Sequence, residues 1–125
     1  MIQINICEDF TKTPWFRYKH EGNGSGEEFR DTLLVCKLND AEIKGEKLEI
    51  IFDGTYGFSM AFLEEAFGGF IRKYGKNPLR RIELISKEDE TIPGIIKNYI
   101  SAAKKQQSSN IYKKRLLRTL LSVNK

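Results

Sequence analysis

Histidine is nearly missing from this chain: His20 is the one copy in 125 residues. Together with two cysteines, Cys7 and Cys36, it is too thin a set for a metal site of the usual nitrogen and sulfur kind. No Ser-His-Asp arrangement can be built around it either, and no phosphate-binding loop or zinc-protease motif is present. The expectation is therefore no catalytic residue, no metal, no cofactor and no enzyme. No apolar run approaches the roughly 20 residues of a membrane span. The start, "MIQINICEDF", has neither a basic stretch nor a small-residue cleavage site. These absences predict a cytoplasmic protein with no membrane association, its cysteines serving as small hydrophobes rather than a disulfide.

Acidic residues are missing from Lys104 onward, where seven Lys or Arg occur. That leaves 14 of the 21 basic residues and all 17 acidic ones in residues 1–103, a balance of −3. The body is mildly acidic and the tail strongly basic. A composition of 40% hydrophobic and 30% charged residues is that of a folded domain, and the length suits a single core.

Along the chain, "MIQINIC" alternates Ile2, Ile4 and Ile6 with polar neighbours, the period of a half-buried strand. A loop-rich stretch follows with an aromatic cluster, Trp15, Phe16 and Tyr18, and "RYKH" is a candidate short second strand. Ser25 with Glu28 forms a capping box, opening a helix over roughly 26–38. Phe29, Leu33, Leu34 and Cys36 are expected inward, and Glu27, Arg30 and Lys37 outward. "LEIIF", residues 48–52, is the central strand, and a broad apolar helix spans 60–74. "RRIELIS" alternates again, with Ile82, Leu84 and Ile85 expected buried. Thr91 and Pro93 open a helix over about 92–105; Ser108 and Ser109 punctuate it, and a last helix covers about 110–122. This order predicts a small single α/β domain, a mixed sheet of about four strands packed with helices over residues 1–105, plus a basic amphipathic helix over 106–125.

Three places offer recognition chemistry. "EGNGSGEE" puts Gly24, Ser25 and Gly26 at a helix start, where backbone N–H groups can hold an anion, although Glu27 and Glu28 oppose one. The loop "FDGTYGFSMAF" places Asp53, Gly54, Tyr56, Gly57 and Ser59 at the carboxyl end of a strand, where open α/β sheets collect ligands. Its plainer reading is a turn at Asp53 and a helix cap at Ser59. In the tail, Lys113, Lys114, Arg115 and Arg118 form a basic patch beside Leu116, Leu117, Leu120 and Leu121, a leucine face expected to dock on the body or on a second copy. Glu64 and Glu65 are adjacent in a helix, about 100° apart, and are expected as a solvated edge rather than one shared site. Gly68-Gly69 costs roughly 1 kcal/mol per glycine in a helix, which predicts close approach of another backbone.

"GSGEEFRDTLL", "LEIIFDGTYGF" and "AFLEEAFGGFIRKYG" together resemble the STAS-like domain family of unknown function, bacterial relatives of the anti-sigma-factor antagonists. The resemblance covers roughly residues 1–90. It implies a mixed sheet backed by helices, and a non-enzymatic regulatory, protein-interaction module of signal transduction whose partner is a histidine-kinase-like ATPase. It also implies that the loop after the central strand is the regulatory point, with a phosphorylated serine at the start of the next helix. The position where that serine is expected is Ala61, and Ser59, two residues earlier, is the candidate phosphoacceptor. A homodimer through the C-terminal helix is a further expectation. The alternative function is a nucleic-acid-binding accessory protein using the basic C-terminal helix.

Overall fold

The computed structural model describes residues 2–75 and 77–123, with Ser122 and Val123 by backbone alone. Met1, Lys76, Asn124 and Lys125, the last a member of the expected cationic tail, lie outside the described residues.

Strand β1 (Ile2–Asn5) runs into a one-turn helix α1 (Ile6–Asp9), and a long loop with a 3-10 turn at Lys19–Glu21 leads to helix α2, residues 26–44. Then come β2 (Leu48–Ile51), helix α3 (residues 60–74), a 3-10 turn at Pro78–Arg80, β3 (Ile82–Ile85) and helix α4 (Ile92–Val123). The three strands form one sheet in the order β1-β2-β3. Both pairings are parallel, with Ile4, Ile50 and Leu84 in one row and Gln3, Glu49 and Glu83 in the next.

The expected mixed sheet of about four strands is thus corrected to three parallel strands among the described residues. Each strand is followed by a helix, and a parallel neighbour requires such a crossover. "RYKH" forms no strand, because its backbone is used elsewhere: the Phe16 and Arg17 carbonyls accept the N–H groups of Gly26 and Glu27 at 2.9 and 3.0 Å. That segment is stitched to the start of α2 instead of the sheet.

One face of the sheet carries the core. Ile4, Leu48, Ile50 and Ile82 are buried with Phe29, Leu34 and Leu38 of α2, Phe62, Phe67 and Phe70 of α3, and Ile92, Ile96, Ile100 and Ala103 of α4. Gly26 marks the closest approach of α2 to α3, for a Cβ there would sit 2.5 Å from the Phe62 carbonyl oxygen. Ile85, expected in the core, stands on the opposite face and packs with none of these residues.

Helix α2 contains a π turn at Phe29–Leu34 and α3 another at Glu64–Gly68. A π turn adds a residue to the cycle, and the buried positions of α2 show it: Phe29 is followed by Leu34, five residues on, and then by Leu38 and Ala41. The slip in phase exposes Cys36 and buries Arg30, reversing both expectations. Cys7 and Cys36 are free thiols.

Helix α4 is continuous through Ser108 and Ser109, correcting the expected pair of helices; serine is only mildly unfavourable inside a helix. Its buried stripe ends at Ala103, and Leu116, Leu117, Leu120 and Leu121 are 47–58% exposed. The leucine face does not dock on its own body. At about 100° per residue, that face points about a quarter-turn away from the docked stripe, so one rigid helix cannot seat both.

Candidate functional site

The loop at the carboxyl end of β2 is tied down on three sides. Asp53 Oδ1 accepts the N–H groups of Lys87 and Glu88 at 2.9 and 2.8 Å, joining it to the loop after β3. Glu88 returns the bond by accepting the Gly54 N–H at 3.1 Å. Cys7 Sγ donates to the Gly54 carbonyl at 3.1 Å. Gly54 and Gly57 have φ of +92° and +110°, a region that favours glycine.

The third tie is to the loop after α1. Tyr56 N–H donates to the Lys12 carbonyl at 2.9 Å, Ser59 N–H to the Pro14 carbonyl at 3.1 Å, and Trp15 Nε1 to the Gly57 carbonyl at 3.0 Å. Ser59 is the N-cap of α3: its Oγ accepts the Phe62 N–H at 3.0 Å and donates to the Trp15 carbonyl at 2.8 Å. The two loops therefore form one platform.

That platform presents apolar side chains to solvent. Tyr56 is 78% exposed, Trp15 51% and Met60 49%, and Phe16 and Tyr18 are exposed on the same connecting loop. Nothing in the loops' hydrophobic pattern marks them as a surface; Trp15 and Met60 lie outside the sequence-derived site, and the lone tryptophan in a polar loop is the signal that points to it. Beneath the platform is a cavity of about 60 Å³ between Asp53, Phe58 and Ile92, too small for a substrate. A larger cavity, about 650 Å³, opens among Leu38, Phe70, Pro78 and Arg81. It lies beside the N-terminal ends of β2 and β3, away from the platform.

At the Gly24–Gly26 turn, Gly24 N–H donates to Glu28 Oε2 at 3.3 Å, Gly26 N–H to the Phe16 carbonyl at 2.9 Å, and Ser25 Oγ accepts the Glu28 N–H at 3.0 Å. Those groups are spent within the chain. Lys113, Lys114, Arg115 and Arg118 are all exposed on the projecting end of α4, far along the chain from the platform.

A second polar centre lies between α2 and α3. Arg30 Nη1 pairs with Glu65 Oε2, both side chains at most 10% exposed, while Arg30 Nε and Nη2 reach Asp31 at 2.8 and 3.1 Å. Glu64 takes a two-pronged bond from Arg72, at 2.7 and 2.9 Å. Arg17 bridges both carboxylates, at 2.7 Å to Glu64 and 3.4 Å to Glu65. The expected solvated edge is corrected here: Glu65 is buried, and the two carboxylates share Arg17 and Arg72. Glycine explains the fit. A Cβ on Gly69 would lie 2.6 Å from Glu65 Oε2 and 2.8 Å from Arg30 Nη1, and one on Gly68 would collide with Glu64 Oε2. It is ionic side chains, not a neighbouring backbone, that fill the space above the glycine pair.

The Arg30 guanidinium, helped by Lys73 and Tyr74, holds Asp31 well below the usual carboxylate range. Arg72, then Arg17, also lowers the pKa of Glu64. Carboxylates held ionised in this way are staples, the reverse of a general acid. Arg17 brings the platform loop under that staple, so the cluster fixes the platform from behind.

The "GSGEEFRDTLL" and "FLEEAFGGFIRKYG" segments supply the staple, Arg17 apart, and the cap of α2, and a family model, the STAS-like domain of unknown function (DUF4325), matches residues 25–91, just over half of the chain. The chain belongs to this family. The STAS-like match takes in α2, β2, α3 and β3, hence the Asp53–Met60 half of the platform and every residue of the staple except Arg17. Neither a curated protein nor a solved structure matches the chain.

Proposed function

We propose that this STAS-like chain is a non-enzymatic regulatory module that recognises a protein partner through the platform of Trp15, Tyr56 and Met60. The observation that carries this reading is the exposure of a tryptophan, a tyrosine and a methionine on loops whose backbones are pinned to each other and to the sheet. Aromatic residues and methionine are enriched where protein surfaces bind. A rigid loop loses little conformational entropy on binding. The partner class this family resemblance supports is a histidine-kinase-like ATPase in a bacterial cytoplasm.

Ser59 fits that reading as an off switch. Its Oγ joins the cap of α3 to the Trp15 carbonyl, so a phosphoryl group there displaces the second bond and releases Trp15. The test is calorimetric binding of the full chain to the purified ATPase. Tyr56→Ala and Trp15→Ala should each weaken binding about tenfold or more, as loss of an interface anchor does, with circular dichroism unchanged. Normal binding by both variants rejects the platform as the surface.

A second reading rests on the exposed Lys113, Lys114, Arg115 and Arg118 and the lack of acidic residues after residue 103: a nucleic-acid contact by the end of α4. A gel shift that weakens steeply with salt supports it, and a salt-independent or absent shift rejects it.

A further inference from the structure

The alternation that builds the core leaves the other face of the sheet open. Gln3, Glu49 and Glu83 form one row there, with Gln3 Nε2 donating to Glu49 at 3.0 Å, and Asn5, Ile51 and Ile85 form the next. Gln3 and Glu83 are exposed, and Ile51 and Ile85, side by side, belong to no part of the core. All-parallel sheets occur almost only with both faces covered. This one has a single covered face among the described residues.

The same chain carries an uncovered helix surface of matching character. Leu116, Leu117, Leu120 and Leu121 lie within two turns of α4, which extends about 24 Å beyond Gln107. At about 100° per residue, Lys113 falls at the head of that leucine side, and Lys114 and Arg118 run along one margin. This length exceeds the roughly 13 Å of a four-residue strand, so the helix end can cross the whole sheet. It cannot do so in its own molecule, because the docked half of α4 holds the helix against α3, on the other face.

We propose that the end of α4 from one copy lies across the open sheet face of a second copy, and the reverse, in a two-fold dimer. Leucines meet Ile51 and Ile85, and lysines and arginines meet Glu49 and Glu83. Charge selects this arrangement over tail against tail. Seven basic residues and no acidic one occur from Lys104 onward, whereas residues 1–103 balance at −3. Among the described residues, Lys47, 3.8 Å from Glu83, is a cation paired on the face. Glu8 and Asp9 follow β1, and Glu88, Asp89 and Glu90 follow β3, adding acidity along the carboxyl ends of the strands.

The experiment is light-scattering mass measurement of the full chain at tens of micromolar, with far-UV circular dichroism confirming the fold of each variant. The wild type should have the mass of two copies. Glu83→Lys, at an exposed position, and the pair Glu49→Lys/Glu83→Lys should each weaken the dimer about tenfold or more. Lys113→Glu/Lys114→Glu/Arg118→Glu should do the same, and combining both sets in one chain should restore it. A monomer at every concentration overturns the proposal, including one that co-sediments with anionic phosphatidylglycerol vesicles. So does a dimer that Leu117→Ser/Leu121→Ser abolishes but Glu83→Lys leaves intact, for the tails would then pair with each other.

Discussion

Arg30 of α2 and Glu65 of α3 form a buried ion pair at the two places where these helices widen into π turns. Each turn rotates its residue off the outer face of the helix, so the charges meet between the helices. Breaking such a pair leaves the other charge buried without a counter-ion. Glu65→Ala should therefore cost about 3–5 kcal/mol in urea or guanidinium unfolding. The double variant Arg30→Met/Glu65→Leu should cost clearly less than Glu65→Ala alone, since an apolar pair leaves no stranded charge. A double variant as unstable as the single would show that the pair contributes through packing instead.

The glycines beneath the cluster give a prediction of opposite sign to helix propensity. Gly→Ala inside a helix normally gains about 1 kcal/mol. At Gly69 the new methyl meets Glu65 and Arg30 within 2.8 Å, and these groups have no solvent to retreat into. Gly69→Ala should lower the melting temperature. Gly68→Ala should be milder, because Glu64 and Arg72 are partly exposed and can give way. A stabilised Gly69→Ala protein would mean that the Arg30–Glu65 pair is soft.

Acid should dissolve the cluster. Asp31 and Glu64 have folded-state pKa values depressed by Arg30 and Arg72 respectively, so the unfolded chain binds more protons than the folded one as pH falls. Their stabilisation is fully present above the unfolded carboxylate range, about pH 4, and is lost as pH drops through the depressed folded values. Stability measured from pH 6 down to pH 3 should fall, and Asp31→Asn should flatten that fall. An unchanged slope in Asp31→Asn would place the proton uptake elsewhere.

Much of the scaffold was legible in the sequence because local signals agreed with one another. The 60–74 helix is where its apolar breadth puts it, Ser25 and Ser59 cap helices as their positions suggest, and the central strand ends one residue short of the expected 48–52. The misplaced residues have two causes. Arg30 and Cys36 were assigned by a period of 3.6, which fails across a π turn, and no composition marks such a turn. Ile85 was assigned by apolarity, though it alternates with Leu84 and so must face the other way. The platform has a different cause: Trp15, Tyr56 and Met60 come together through backbone hydrogen bonds between distant loops, which no periodicity reports.

Phe67 tests the core. It is fully buried and its ring lies 6.3 Å from Phe29 and 6.1 Å from Phe52, so it touches both α2 and the end of β2. Phe67→Ala should cost about 3–5 kcal/mol by loss of buried area and the cavity left behind. A loss below about 1 kcal/mol with the fold intact would contradict its burial.

The single tryptophan makes the platform directly observable. Trp15 is the chain's one indole, so any tryptophan emission reports on that loop. Half exposed, with its Nε1 held by the Gly57 carbonyl, it should emit at the red end of the tryptophan range in the free protein and shift to the blue when a partner covers it. Ser59→Ala separates the two bonds that Ser59 makes. Loss of the cap should cost about 1 kcal/mol, and loss of the bond to the Trp15 carbonyl should loosen the loop, seen as easier acrylamide quenching. Ser59→Asp keeps a capping side chain but cannot donate to that carbonyl. It should therefore preserve the melting temperature while quenching as easily as Ser59→Ala. If Ser59→Asp quenches like the wild type, the Ser59–Trp15 bond does not position the indole.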